Sequence, residues 1–161
     1  MHSHRSGTIA ILSSIGAYSA TPNCTLYCAT KSVLSILSLG LSREVSSLGI
    51  KVISIEPGYF RTNFLAGGHR VQAQKRIGDY DGEARVRFDE VDGKQKGDVE
   101  KGAKVVVKML TGTGRAEGKQ MPKRLVLGSD CVGAAEGCLE EQRRELEEWR
   151  EVSLSMDHED V

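Results

Sequence analysis

Apolar positions along the chain follow two rhythms. Near-continuous runs, Ile9-Ala10-Ile11-Leu12, Val52-Ile53-Ser54-Ile55 and Leu125-Val126-Leu127, read as strands covered on both faces, at about 8–13, 52–55 and 124–127. Between the first two, Val33, Leu34, Leu37, Leu41, Val45 and Leu48 recur at spacings of three and four. That is the apolar stripe of a helix from about Thr25 to Leu48. Serines at 32, 35, 38, 42, 46 and 47 keep its other face small, and Gly49 suits a position just past its end. Val99, Ala103, Val106 and Leu110 mark a second helix over about 98–111, with Asp98 as its N-cap. A charged third helix is expected over about 131–150, with Leu139, Leu146 and Trp149 on one seam. Strand, helix, strand with a single helix between implies a parallel sheet. The fold class is α/β, in one domain.

The connections divide into three kinds. Residues 15–24 form a loop, broken by Pro22 and Asn23. From Thr62 to about Gly97 the chain is polar and punctuated by Gly67-Gly68, Gly78 and Gly82, with a short helix expected from about Glu83 to Glu90. A connection of that length in a compact domain is often a lid, so 62–97 is read as a substrate lid. Thr111-Gly112-Thr113-Gly114 through Gly118 has the glycines of a phosphate cradle. Such a cradle needs a strand before it and a helix N-terminus after it. Here a helix precedes it, so a flexible glycine loop is expected. Residues 151–161 read as a disordered tail.

Charge and composition narrow the classes. The 22 basic and 22 acidic residues among 161 leave no net field, which argues against nucleic acid or an anionic membrane as the main partner. No apolar run approaches the ~20 residues of a membrane span, and the first five residues are polar. A soluble, cytoplasmic protein is expected. Cysteines at 24, 28, 131 and 138 contain no Cys-x-x-Cys and have no histidine ligand set beside them. They read as reduced thiols, with no metal.

Candidate chemistry lies between the first two strands. Tyr27 and Lys31 are four apart, one turn apart on one helix face. A free phenol titrates near 10, and a fixed ammonium nearby favours its anion. A tyrosine so placed can act as a general acid or base near neutrality. Ser14, at the end of the first strand, supplies a second donor toward a carbonyl or hydroxyl oxygen. Ligands in parallel sheets bind beyond the carboxyl ends of the strands. Ser14 and Pro57-Gly58 both sit at that edge, and Tyr27 and Lys31 begin the helix between them. The groups therefore converge on one spot.

A strand ending in Ser13-Ser14, a Tyr27-x-x-x-Lys31 helix, then a strand ending in Pro57-Gly58-Tyr59-Phe60-Arg61-Thr62 resembles the short-chain dehydrogenase/reductase family. Asp92-Gly93-Lys94-Gln95 with Gly97-Asp98, and Leu125-Val126-Leu127-Gly128-Ser129-Asp130, resemble its 17-beta-hydroxysteroid dehydrogenase-like branch. The resemblance covers roughly residues 7–150. It implies a partial Rossmann-like, doubly wound parallel sheet comprising the last three strands with their helices. The family's opening Thr-Gly-x-x-x-Gly-x-Gly turn, its Asn-Asn-Ala-Gly stretch and its catalytic asparagine have no counterpart here. The expectation is therefore a chain lacking the N-terminal cofactor-binding half, weak or inactive alone.

Carried over position by position, the resemblance implies catalysis by Ser14, Tyr27 and Lys31. Cofactor contacts fall to Tyr27, Lys31, Pro57, Gly58, Phe60 (through its backbone) and Thr62. The cofactor is NAD or NADP, bound weakly or not at all by the isolated chain. The substrate is a small carbonyl or alcohol, and an intact form has room to be a homo-oligomer. Two other readings compete. One is a non-catalytic interaction fragment or pseudoenzyme. The other is an epimerase or dehydratase using the same pair, against which Pro57-Gly58 and Gly128-Ser129-Asp130 both speak. Steroid, retinoid, acyl and quinone carbonyls all remain open as substrates.

Overall fold

The computed structural model describes residues 1–66, 69, 74–75, 77–80 and 88–158. Three strands, β1 (Gly7–Leu12), β2 (Ile50–Pro57) and β3 (Arg124–Leu127), form a parallel sheet in the order β1-β2-β3. Helix α1 (Thr25–Glu44) connects β1 to β2. Helix α2 (Val99–Thr111) precedes β3, and α3 (Ser129–Glu148) with the short α4 (Arg150–Leu154) comes after it. The α/β class and its three parallel strands are those expected.

β2 is the centre of the molecule. Val52, Ile53, Ser54, Ile55 and Glu56 are all buried. Consecutive burial means that both faces of the strand are covered, as the unbroken apolar run predicts. The register aligns the carboxyl ends of the strands: Leu12 pairs with Ile55, and Pro57 with Leu127. Ladder bonds continue past the strand ends, from Ser13 N to the Ile55 carbonyl and from Gly58 N to the Leu127 carbonyl, both 2.8 Å. The turns after β1 and β2 are thus tied to the strand beside them.

Helix punctuation agrees with the sequence. Asp98 caps α2, its carboxylate accepting from Lys101 N at 3.0 Å. Gly112 caps the other end, so the 112–118 glycines lie in a loop with one short 3-10 turn at Gly114–Ala116. α1 ends at Glu44, and a separate 3-10 turn, Ser46–Leu48, carries the chain to Gly49. Gly49 adopts φ 68°, and a side chain there would meet the Arg5 carbonyl.

The faces of α1 match its stripe only in part: Leu34, Leu41, Val45 and Leu48 are half-buried. Cys28, Ser35, Ser38 and Ser42 are buried, while Val33, Ile36 and Leu37 are each more than half exposed. Small residues let the helix backbone lie close to β2. Their hydroxyls also find partners: Ser38 bonds the Ser35 carbonyl at 2.8 Å, and Lys123 reaches Ser42 at 2.6 Å. By length and composition alone α1 would be able to cross a membrane, contrary to the expectation that no run is apolar enough. Its uncharged serines, cysteine and glycine extend the aliphatic positions into a 20-residue stretch, and its small face packs on the sheet.

The short helix Arg150–Leu154 runs into the stretch expected to be disordered, so that residues 151–154 are helical. Much of 62–97, and most of the expected helix at 83–90, lies outside the described residues; residues 88–91 are helical.

Candidate active site

Each motif residue is positioned by the end of a strand or the start of a helix. Ser14 comes just after β1 and caps a 3-10 turn, Ile15–Ala17, its Oγ accepting from Gly16 N at 3.2 Å. It is 7% exposed. Tyr27 and Lys31 occupy the first two turns of α1. Gly16 lies against the Tyr27 ring, close enough that a side chain there would meet Cε1 at 3.3 Å. The Lys31 ammonium stands 5.7 Å from the Tyr27 ring centroid and donates to the Leu12 carbonyl at 3.2 Å. Lys31 therefore links the end of β1 to the Tyr27 ring, within cation–π range. Tyr27 is 40% exposed, and the Phe64 ring lies beside it, centroids 6.4 Å apart and tilted 45°.

Pro57 ends β2, next to the Ser13-Ser14 edge, with Gly58 directly after it. Phe60 forms a parallel bridge with Gly97, and its ring fills the space beside Gly102. The Thr62 hydroxyl accepts from Phe64 N at 3.2 Å. Ser14, Tyr27 and Lys31 thus gather at the carboxyl end of β1, with Pro57-Gly58 at the matching end of β2. Phe60 and Thr62 continue outward from there, engaged with Gly97 and Phe64.

Beneath this edge lies a polar core that the motif reading missed. Glu56 is fully buried. Its Oε1 receives the Ser35 hydroxyl at 2.7 Å, the Ser54 hydroxyl at 2.9 Å and Arg124 Nε at 2.8 Å, while Oε2 receives the Tyr18 hydroxyl at 2.5 Å. Arg124 also stacks over the Tyr18 ring, 4.4 Å from its centroid. Ser13 Oγ donates to the Lys31 carbonyl at 2.8 Å and lies 2.9 Å from Ser35 Oγ. A carboxylate only accepts, so Ser35 gives its single proton to Glu56. The Lys31 carbonyl likewise only accepts, so Ser13 gives its own proton there, and the two serine oxygens stand side by side. Burial by itself pushes the Glu56 carboxyl up, but the bonds from Tyr18, Ser35, Arg124 and Ser54 outweigh it and hold it below the ordinary 4.5. Burial, then the bond to Glu56, raises the Tyr18 phenol. Burial likewise pushes the Cys131 thiol up to about 12, and its Sγ reaches the Glu56 carbonyl at 3.3 Å. The signal available in sequence was the charge itself: a glutamate closing a strand otherwise buried on both faces must find partners.

The arrangement suits one end of a nicotinamide dinucleotide. Two hydroxyls and an ammonium stand at the strand edge where such ligands lie. The phosphate end is less well provided. The helix N-terminus that comes after a strand and a glycine, Leu127-Gly128-Ser129, carries an acid, Asp130, in its first turn, where a second negative charge is unfavourable.

Comparisons with known proteins bear on the fold and on likeness to a family. Residues 1–72 match the family model described as short chain dehydrogenase. Oxidoreductase BOA17 of Botryotinia fuckeliana is 29% identical over 160 residues, which span 96% of this chain and 55% of that protein. An uncharacterized oxidoreductase of Staphylococcus aureus is 33% identical over 70 residues, 44% of this chain and 30% of its own. A crystal structure of a short-chain dehydrogenase from Streptomyces avermitilis superposes with a TM-score of 0.81 at 35% identity, covering 98% of this chain and 55% of that one. A Burkholderia phymatum short-chain dehydrogenase/reductase in complex with NAD shares the fold at 13% identity, TM-score 0.68, over 91% of this chain and 51% of its own. The chain spans about half the length of the first of these relatives. Its three-stranded sheet is thus a Rossmann-like one, and the chain is similar to short-chain dehydrogenases, the match to that family's model lying within residues 1–72.

Proposed function

We propose that this chain carries the reacting end of an NAD- or NADP-dependent oxidoreductase that interconverts a carbonyl and an alcohol. The observation that carries the reading is the Ser14, Tyr27 and Lys31 grouping at the carboxyl end of β1, with the Lys31 ammonium 5.7 Å from the Tyr27 ring. In reduction, the Ser14 and Tyr27 hydroxyls hydrogen-bond the substrate oxygen, and Tyr27 releases its proton to that oxygen. Lys31, fixed by the Leu12 carbonyl, stands beside the Tyr27 ring and holds the nicotinamide ribose. Pro57, Gly58, Phe60 and Thr62 border the nicotinamide side. A bound nicotinamide cofactor supplies the hydride. Alcohol oxidation reverses each proton movement. NADP- and NAD-bound relatives with the same fold support this cofactor class.

The test is turnover of ketones and aldehydes with NADH and NADPH, and of secondary alcohols with NAD+ and NADP+. Tyr27→Phe removes the only proton its ring carries to the substrate, and the expected loss is about 10²–10⁴-fold. Unchanged turnover in Tyr27→Phe would refute the assignment. A non-catalytic interaction module is the second reading. It is favoured by the exposure of Leu12, Val33, Ile36 and Leu37, apolar side chains on β1 and α1. A stable complex with another polypeptide that itself shows no turnover would favour it.

A further inference from the structure

Gly128-Ser129-Asp130 plays no part in the chemistry above, yet its acid reaches the site. Asp130 stands in the first turn of α3, and its Oδ2 accepts from Tyr59 N at 2.6 Å, across 71 residues of sequence. Tyr59 is the residue after Pro57-Gly58. The same carboxylate occupies the space that a Gly58 side chain would need. Gly58 is therefore glycine because the acid must come this close. The rest of the turn is fixed by backbone: Gly58 N to the Leu127 carbonyl at 2.8 Å, Gly97 N to the Tyr59 carbonyl at 3.0 Å, and Arg61 N to the Gly97 carbonyl at 2.9 Å. Asp130 is the side chain in this set that carries charge, and a charge-assisted bond to a backbone N–H is stronger than a neutral one.

We propose that Asp130 is a positioning residue, clamping the Gly58–Phe60 turn in the conformation that borders the cofactor. The inference rests on the cofactor reading above for the ligand, and on the hydrogen bond and the Gly58 approach for the clamp. It acts through the Tyr59 amide and touches no reacting atom. Its demands on geometry are strict. Asparagine keeps an acceptor oxygen in the same place. Glutamate keeps the charge in the first turn of α3 but carries it one methylene too far. A role limited to the helix dipole would be met by glutamate; the clamp would not.

The experiment uses the 161-residue chain and two readouts. Amide hydrogen exchange at Gly58–Phe60 is measured by NMR, with Val52–Ile55 in β2 as the internal reference. Binding of NADH and NADPH is tracked by nucleotide fluorescence. Asp130→Ala and Asp130→Glu should speed exchange at Tyr59 by about tenfold without changing the β2 amides. Asp130→Asn should stay within about threefold of the unsubstituted chain. Gly58→Ala, which leaves the acid in place but takes its space, should behave like Asp130→Ala, and it keeps the test readable if that variant fails to fold. Nucleotide affinity should fall in the same order. Exchange at Tyr59 unchanged in Asp130→Ala, or restored fully by glutamate, overturns the clamp. Faster exchange with equal nucleotide affinity overturns its role toward the cofactor. If the unsubstituted chain binds neither nucleotide, the role toward a cofactor is overturned for this chain, while the exchange rates still decide the clamp.

Discussion

Glu56 and Glu147 are both held by an arginine, Glu56 by Arg124 at 2.8 Å and Glu147 by Arg143 at 3.0 Å. Their surroundings could hardly differ more. Glu56 lies at the carboxyl edge of the sheet, fully buried, with donors arriving from β2, α1, β3 and the loop after Ser14. Glu147 lies in α3, where Arg143 also pairs with Glu140 at 3.0 Å and all three side chains are more than half exposed. Water can replace each partner of Glu147. It cannot reach Glu56, so every donor lost there leaves part of a buried charge uncompensated. The same pair of functional groups is thus a joint in one region and a solvated ornament in the other.

That difference can be broken from its strong side. Glu56→Ala strands Arg124, Tyr18, Ser35 and Ser54 at once, and should cost about 3–5 kcal/mol in urea unfolding. A loss below about 1 kcal/mol would mean that water enters the edge. Acid does the same chemically. A carboxyl held below its ordinary 4.5 contributes stability above that value and loses it as pH falls through the depressed one. Melting temperature should therefore drop below pH 4.5, and the drop should be shallower in Glu56→Gln, which has no proton to take up. Parallel curves for the two proteins would move the acid-labile group elsewhere. Ser35→Ala removes one donor and the link to Ser13, for an expected cost of about 1–2 kcal/mol. The weak side sharpens the contrast: Arg143→Ala, with two ion pairs lost, should change stability by no more than about 0.5 kcal/mol.

Sequence reading went furthest where local chemistry decides. The apolar runs located the three described strands, and Asp98 marked the start of α2 through a rule that needs no tertiary context, whereas Gly49 follows a 3-10 turn rather than the α-helix itself. The faces of α1 were legible only in part because the stripe measures hydrophobicity, whereas Ser35, Ser38 and Ser42 are buried for their size and hydroxyls. The Tyr27-Lys31 pair was legible from its spacing. Glu56 was passed over, and its partners could not be read from spacing. Tyr18, Ser35 and Arg124 stand 38, 21 and 68 residues away, and only the folded sheet brings them together. Phe64 beside Tyr27 was hidden for the same reason.

The separation of Glu56 from Arg124 also orders events in time. β1 and β2 can pair once α1 has formed between them, because that helix is the connection. β3 must return across a much longer loop, and contacts that close long loops form slowly. Until Arg124 arrives, Glu56 has hydroxyl partners but no counter-charge. Desolvating it earlier would be unfavourable, so the carboxyl end of β2 should remain hydrated while its other end is already packed. Folding of this chain would then finish at its chemically important edge, and substitutions at Arg124 should accelerate unfolding while leaving the folding rate nearly unchanged.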